Sequence, residues 1–152
     1  MSENYILVEF RQRELPGFAL VNAGLQSADY RPRYVWHLSI LIACNDLVGR
    51  RLPSPDEQAT LNEFEDKIAP IIEAGSNAVF LARVTHDGLR ELIWRVHDPE
   101  PANAMLQHMI QTKGHPREFD YRIDRDAGWK KAAWYLDRVR KAQPTLPSAG
   151  SP

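Results

Sequence analysis

The run Thr85-His86-Asp87-Gly88-Leu89-Arg90-Glu91 is the most distinctive local cluster of reactive side chains in the chain. Arg90 offers a planar fork of N–H donors that suits a carboxylate or another small anion. His86 changes charge near neutrality, Glu91 brings a carboxylate and Thr85 a hydroxyl. Two readings stay open for this run. In one, Thr85, His86, Arg90 and Glu91 bind a small anionic ligand or serve an enzyme at the end of a sheet. In the other, the run is a turn in which Thr85 bonds backbone, Gly88 takes positive φ and Arg90 pairs with Asp126 or another acid near the last helix. A second cluster is Trp134-Tyr135, set among Lys130, Lys131 and Arg138. Aromatic residues and arginine carry much of the energy of protein interfaces, so Trp134, Tyr135 and Arg138 form an expected interaction surface, unless an N-terminal hairpin covers them. Arg83, Ile93 and Arg95, on the open face of a sheet, are the second choice.

The remaining reactive residues point to binding rather than catalysis. The five histidines make no metal spacing with one another or with Cys44. His37 and His97 fit a solvated strand face beside Arg95 and Asp120. There is no Gly-x-Ser-x-Gly elbow, phosphate loop or isolated carboxylate pair. The expectation is therefore no catalytic residue, no metal and no cofactor, with a protein partner or a second copy of the chain as the thing bound. Among 152 residues a single cysteine allows no internal disulfide and suits a reducing compartment. Nineteen Lys and Arg against twenty Asp and Glu argue against a nucleic-acid binder. No apolar run approaches the ~20 residues of a membrane span, and no basic, apolar leader opens the chain; a cytoplasmic location follows. The formal charge of −1 is a cancellation. Residues 54–75 hold six acids and one Lys, and residues 113–141 hold nine bases and five acids, so the two segments can pair within one chain or across a dimer.

These residues need elements to position them. Tyr5–Arg11 and Phe18–Val21 alternate around the turn signal Leu15-Pro16-Gly17, which predicts an N-terminal hairpin. Val35–Ala43 reads as a central strand that Cys44 closes. Ser54-Pro55-Asp56-Glu57 predicts a capping box opening a helix in which Leu61, Phe64 and Ile68 recur on one face. Pro70 predicts a kink or an early end, and Gly75 a stop. Strands Asn77–Thr85 and Leu89–His97 flank a three-residue loop, His86-Asp87-Gly88. That register sets Phe80 against Trp94, Ala82 against Leu92 and Arg83 against Glu91, and turns Arg90 toward the core. A second helix follows Asp98-Pro99 and stops at Gly114, a strand covers Phe119–Ile123, and Asp126 caps a last helix buried through Trp129, Leu136 and Val139. The order predicts an α+β fold: a ferredoxin-like βαββαβ antiparallel sheet with an added N-terminal β-hairpin and a C-terminal helix. The expected organisation is one domain over 1–142, divided into a hairpin extension (1–34), a core (35–125) and a helix (126–142). A disordered tail is expected over 143–152.

Three stretches carry a resemblance to a known family. They are Pro16-Gly17 with the following strand and Asn22; Thr85 to Glu91, continuing to Trp94 and Asp98; and Asp126 through Trp129 to Tyr135 and Leu136. From about Leu15 to Leu136 the chain resembles the bacterial family catalogued as domain of unknown function 695. The resemblance implies an α+β fold and hands over no activity and no catalytic residue.

Overall fold

In the computed structural model, which describes residues 4–142, the alternating segments become eight strands and the amphipathic ones three helices. The strands are β1 (Tyr5–Gln12), β2 (Leu15–Asn22), β3 (Trp36–Ala43), β4 (Leu47–Val48), β5 (Leu52–Pro53), β6 (Ala78–His86), β7 (Leu89–Val96) and β8 (Phe119–Arg125). The helices are α1 (Pro55–Ile72), α2 (Glu100–Thr112) and α3 (Ala133–Ala142). Six strands make one antiparallel sheet in the order β1-β2-β6-β7-β3-β8, and β4-β5 is a separate small hairpin. The fold is thus mixed α and β, with the N-terminal hairpin joined to the sheet through β2 and β6. The expected tail, 143–152, lies outside the described residues. No helix among the described residues is long and apolar enough to cross a membrane.

Both faces of the sheet are apolar, and each has its own core. Leu38, Ile40 and Ile42 of β3 with Leu92, Trp94 and Val96 of β7 pack against Leu61, Phe64 and Ile68 of α1 and Leu106 of α2. On the opposite face Val8, Ala19, Val21 and Ile93 pack against Trp129, Ala132, Leu136 and Val139. The sheet is therefore sandwiched between α1/α2 and the Trp129–α3 segment. This corrects the expected open face: Ile93 and Arg95 are fully buried, because the C-terminal segment covers the side that the two longer helices leave bare.

The hairpins differ from expectation for local reasons. The first turns at Arg13-Glu14, both at positive φ (54° and 65°), and Leu15-Pro16-Gly17 already belongs to β2. Gly17 is needed for packing, since a Cβ there would lie 2.2 Å from the ring of its cross-strand partner Phe10. The second hairpin uses the two-residue Asp87-Gly88 turn, at φ 51° and 76°, the pattern of a type I′ turn. Arg83 consequently faces Leu92, and Arg90 faces Thr85. A bulge at Leu81 then absorbs one residue and restores Phe80 opposite Trp94.

Caps explain most element ends. Ser54 accepts the Glu57 amide at 3.1 Å, as an N-cap should. Glu57 does not complete the box; its carboxylate accepts the Asn45 amide at 2.8 Å and two bonds from Arg117 at 2.8 and 2.7 Å. That ion pair joins the acidic first helix to the basic segment within one chain. The Arg117 bonds are the main reason the Glu57 carboxyl lies below its ordinary pKa. α1 continues past Pro70, exposed in its last turn, to Ile72. α2 ends with Lys113 in the left-handed conformation, one residue before the expected glycine.

Candidate functional site

Strand parity sorts the reactive residues. Along β7, Arg90, Leu92, Trp94 and Val96 face α1 and α2, while Glu91, Ile93 and Arg95 face the C-terminal segment. The two-residue turn imposes the same division on β6, and Thr85 falls with Arg90 while His86 falls with Glu91. The four residues expected to form one site thus lie on opposite faces of the sheet.

Thr85 and Arg90 take the structural role. Arg90, 3% exposed, donates from Nε to Thr85 Oγ1 at 2.9 Å and from Nη1 to Asn62 Oδ1 at 3.1 Å. It does not meet Asp126. Arg83 is also committed, donating to both oxygens of Glu65 on α1 at 2.8 Å rather than meeting Glu91.

The partner of Asp126 is Arg95, a residue expected on the surface and in fact 0% exposed. Its Nη1 lies 2.9 Å from Asp126 Oδ2 and 3.1 Å from His37 Nδ1; Nη2 donates to the Asp126 carbonyl at 2.7 Å, and Nε to the Tyr34 carbonyl at 3.3 Å. The guanidinium stacks 4.4 Å from the Trp129 ring, whose indole N–H also donates to Tyr34 O, at 2.9 Å. A guanidinium only donates, so His37 Nδ1 is the acceptor and the ring is neutral. Burial, then Arg95, lowers the His37 pKa from 6.5 to about 4. Burial raises the Asp126 pKa, but the bonds from the Lys131 amide, from Arg95 and from the Lys130 amide outweigh it and hold the carboxyl below its ordinary value. Those two amide bonds set the turn in which Trp129 adopts φ 57°, so α3 begins at Ala133 and not near Asp126. This node is closed and structural.

The other end of the same face is open. A cleft of about 450 Å³ lies between the hairpin ends of β1, β6 and β7 and the first half of α3. Phe10, Leu41, Leu89 and Trp134 form its apolar walls, and His86, Glu91, Arg11 and Arg138 its polar ones, with Tyr135 at its side. The structure therefore joins half of each expected cluster: His86 and Glu91 from the hairpin, and Trp134, Tyr135 and Arg138 from the helix.

The cleft is partly organised by contacts of its own. The Trp134 ring meets Phe10 edge-on at 5.3 Å and Tyr135 at 5.1 Å, and the Arg138 guanidinium lies 4.8 Å over it. Trp134 nonetheless stays 38% exposed, so the N-terminal hairpin braces it without covering it. His86 Nε2 donates to the Gln12 carbonyl at 2.9 Å, because a carbonyl can only accept. Glu91 Oε2 accepts from Ser39 Oγ at 2.5 Å. Burial, with the nearby Glu91 carboxylate, pushes the Tyr135 hydroxyl well up, leaving it a neutral phenol. Apolar walls with a few anchored polar groups are the usual construction of a ligand cleft. Among the described residues no serine, threonine or cysteine lines it, and no three His, Cys, Asp or Glu side chains gather as a metal ion would need.

Phe10, Arg11, Leu41 and Leu89 were not singled out from the sequence. One signal was available: Gly17 within an apolar strand marks close approach by a neighbour, and that neighbour is the Phe10 ring.

The site and fold define a mixed α/β protein with a cleft at one sheet end. Residues 16–137 match the Family of unknown function (DUF695), and the chain belongs to that family. The matched span takes in His86, Glu91, Trp134 and Tyr135, and leaves out Phe10, Arg11 and Arg138. No curated protein and no solved structure matches the chain.

Proposed function

We propose that this protein acts by binding, and that the cleft beside α3 takes a segment of another protein. The observation that carries this reading is the exposure of Trp134, Leu41 and Leu89 around a single concavity. Large apolar side chains left in water next to a hollow favour a partner that fills it. Arg11, Arg138 and Glu91 supply polar anchors that fix orientation. A second copy of the same patch is a poor occupant, since a two-fold contact would set hollow against hollow and arginine against arginine. A second reading, a small anionic ligand with an apolar body, is supported by the two arginines that line the cleft. As to fold relationship, we read α1, α2 and the strands β6-β7-β3-β8 as a ferredoxin-like unit. In its support, each of these helices connects two parallel strands with one antiparallel strand between them.

The test compares proteins retained by immobilised wild type, Trp134→Ala and Arg138→Glu. A partner held by wild type and lost by both variants supports the reading. Equal retention by all three overturns it. Phenylpropionate serves as the probe for the second reading: saturable quenching of tryptophan fluorescence that disappears in Trp134→Ala moves the assignment to a small ligand.

A further inference from the structure

The six-stranded sheet ends in β1 on one side and β8 on the other, and no described strand lies beyond either. The two edges are built differently. β8 exposes Asp120, Arg122 and Arg125, with Asp124 paired to Arg122 and Lys131, and such charged edges resist pairing with another chain. β1 instead exposes Leu7, at 55% the most exposed large apolar side chain among the described residues. Half-buried Phe18 and Leu20 of β2 lie on the same face, Leu20 directly opposite Leu7.

Main-chain direction follows from the turn. A two-residue loop at Arg13-Glu14 makes Gln12 and Leu15 a hydrogen-bonded pair. Alternate residues Phe10, Val8 and Ile6 then direct their amide groups to β2, and Asn4, in the same phase, accepts from the Ala23 amide at 2.7 Å. Leu7, Glu9 and Arg11 direct theirs outward, away from the sheet.

We infer that β1 is a dimerisation strand, pairing antiparallel with β1 of a second copy about a two-fold axis at Val8. In that register Leu7 faces the partner's Glu9 and Arg11 faces the partner's Tyr5. On the other face Val8 meets the partner's Val8 and Ile6 meets the partner's Phe10, which continues the apolar ridge that packs against the C-terminal segment. An axis at Glu9 would set two carboxylates against each other. An axis at Leu7 would carry Arg11 past the start of the partner's strand. The Val8 axis avoids both and pairs the apolar ridge with itself, as an isologous contact requires. The pairing adds strand to strand and buries little else, so it is a concentration-dependent equilibrium.

Sedimentation equilibrium of the full chain over a range of concentrations tests this. Wild type is expected to show a reversible dimer. Leu7→Glu, which sets like charges opposite Glu9 twice over, should weaken it about ten-fold, whereas Leu7→Lys, placed opposite the same carboxylate, should keep or tighten it. Leu7 is exposed, so both variants fold. Trp134→Ala should leave the dimer unchanged, because Trp134 is no part of the strand pairing, which distinguishes that pairing from occupation of the cleft. A monomer at every concentration, equal weakening by Glu and Lys, indifference to both, or a dimer lost in Trp134→Ala would each overturn the inference.

Discussion

Arg95 and Glu91 lie four residues apart on one strand, face the same side of the sheet and sit at opposite ends of α3's neighbourhood. Arg95 has a carboxylate, two carbonyls, an imidazole and an indole ring around it, and no surface exposed to solvent. Glu91 has one serine hydroxyl and an open cleft. Burial of a charge is tolerated only when partners surround it, so the Arg95 end became part of the scaffold. At the Glu91 end the aromatic residues brace one another but leave a hollow, and a hollow with exposed apolar walls is available to a partner. Reactive residue types alone do not separate scaffold from site; the space left around them does.

The largest effect expected is at the closed end. Asp126→Ala leaves Arg95 buried without its counter-ion and also removes the bonds to the Lys130 and Lys131 amides; a loss of about 3–5 kcal/mol is expected in urea denaturation. Acid should find the same node. The folded pKa of His37, about 4, lies below its unfolded 6.5, so the unfolded chain binds the proton first. Stability present above pH 6.5 is therefore lost as the pH falls toward 4, by roughly 3 kcal/mol at 1.36 kcal/mol per unit. His37→Gln should flatten that slope in a pH series of thermal melts, and an unchanged slope would remove His37 from the account.

Substitutions at the open end should cost less stability and more binding. Gly17→Ala forces the Phe10 ring away from its seat and should cost about 1–3 kcal/mol while loosening the wall behind Trp134. Trp134→Ala should cost only about 1 kcal/mol, because the ring is part exposed, yet abolish fluorescence enhancement of an anionic aromatic dye added to the protein. Glu91→Gln keeps the Ser39 bond and should stay within about 0.5 kcal/mol of wild type. Full dye binding by Trp134→Ala, with a folded spectrum, would dissolve the distinction between the two ends.

Much of the fold was legible because its signals are local. Ser54 with Pro55 marked the start of α1, period-two alternation marked β1, β3 and β7, and Gly88 marked a turn. The separation of Thr85 and Arg90 from His86 and Glu91 was not legible in the same way. Shortening the loop by one residue reverses the face on which every neighbour in β6 falls, and the bulge at Leu81 reverses it again, so an expected register can fail at one end of a hairpin and hold at the other. The Arg95–Asp126 pair was missed for a different reason. An arginine in a strand reads as exposed until a distant carboxylate is known to reach it, and the two are 31 residues apart.

Sequence signals sufficed for the α+β class, the positions of most strands and helices, the family, and the choice of five reactive residues: His86, Glu91, Trp134, Tyr135 and Arg138. Those properties reside in side-chain periodicity, caps and motifs spanning a few residues. Packing in three dimensions brings these five into one cleft and leaves Arg83, Arg90 and Arg95 held by Glu65, Thr85 with Asn62, and Asp126. A side chain's company depends on which face of the sheet it occupies. That face is set by loop length, by a single bulge and by what packs above it, none of which is a property of the residue itself.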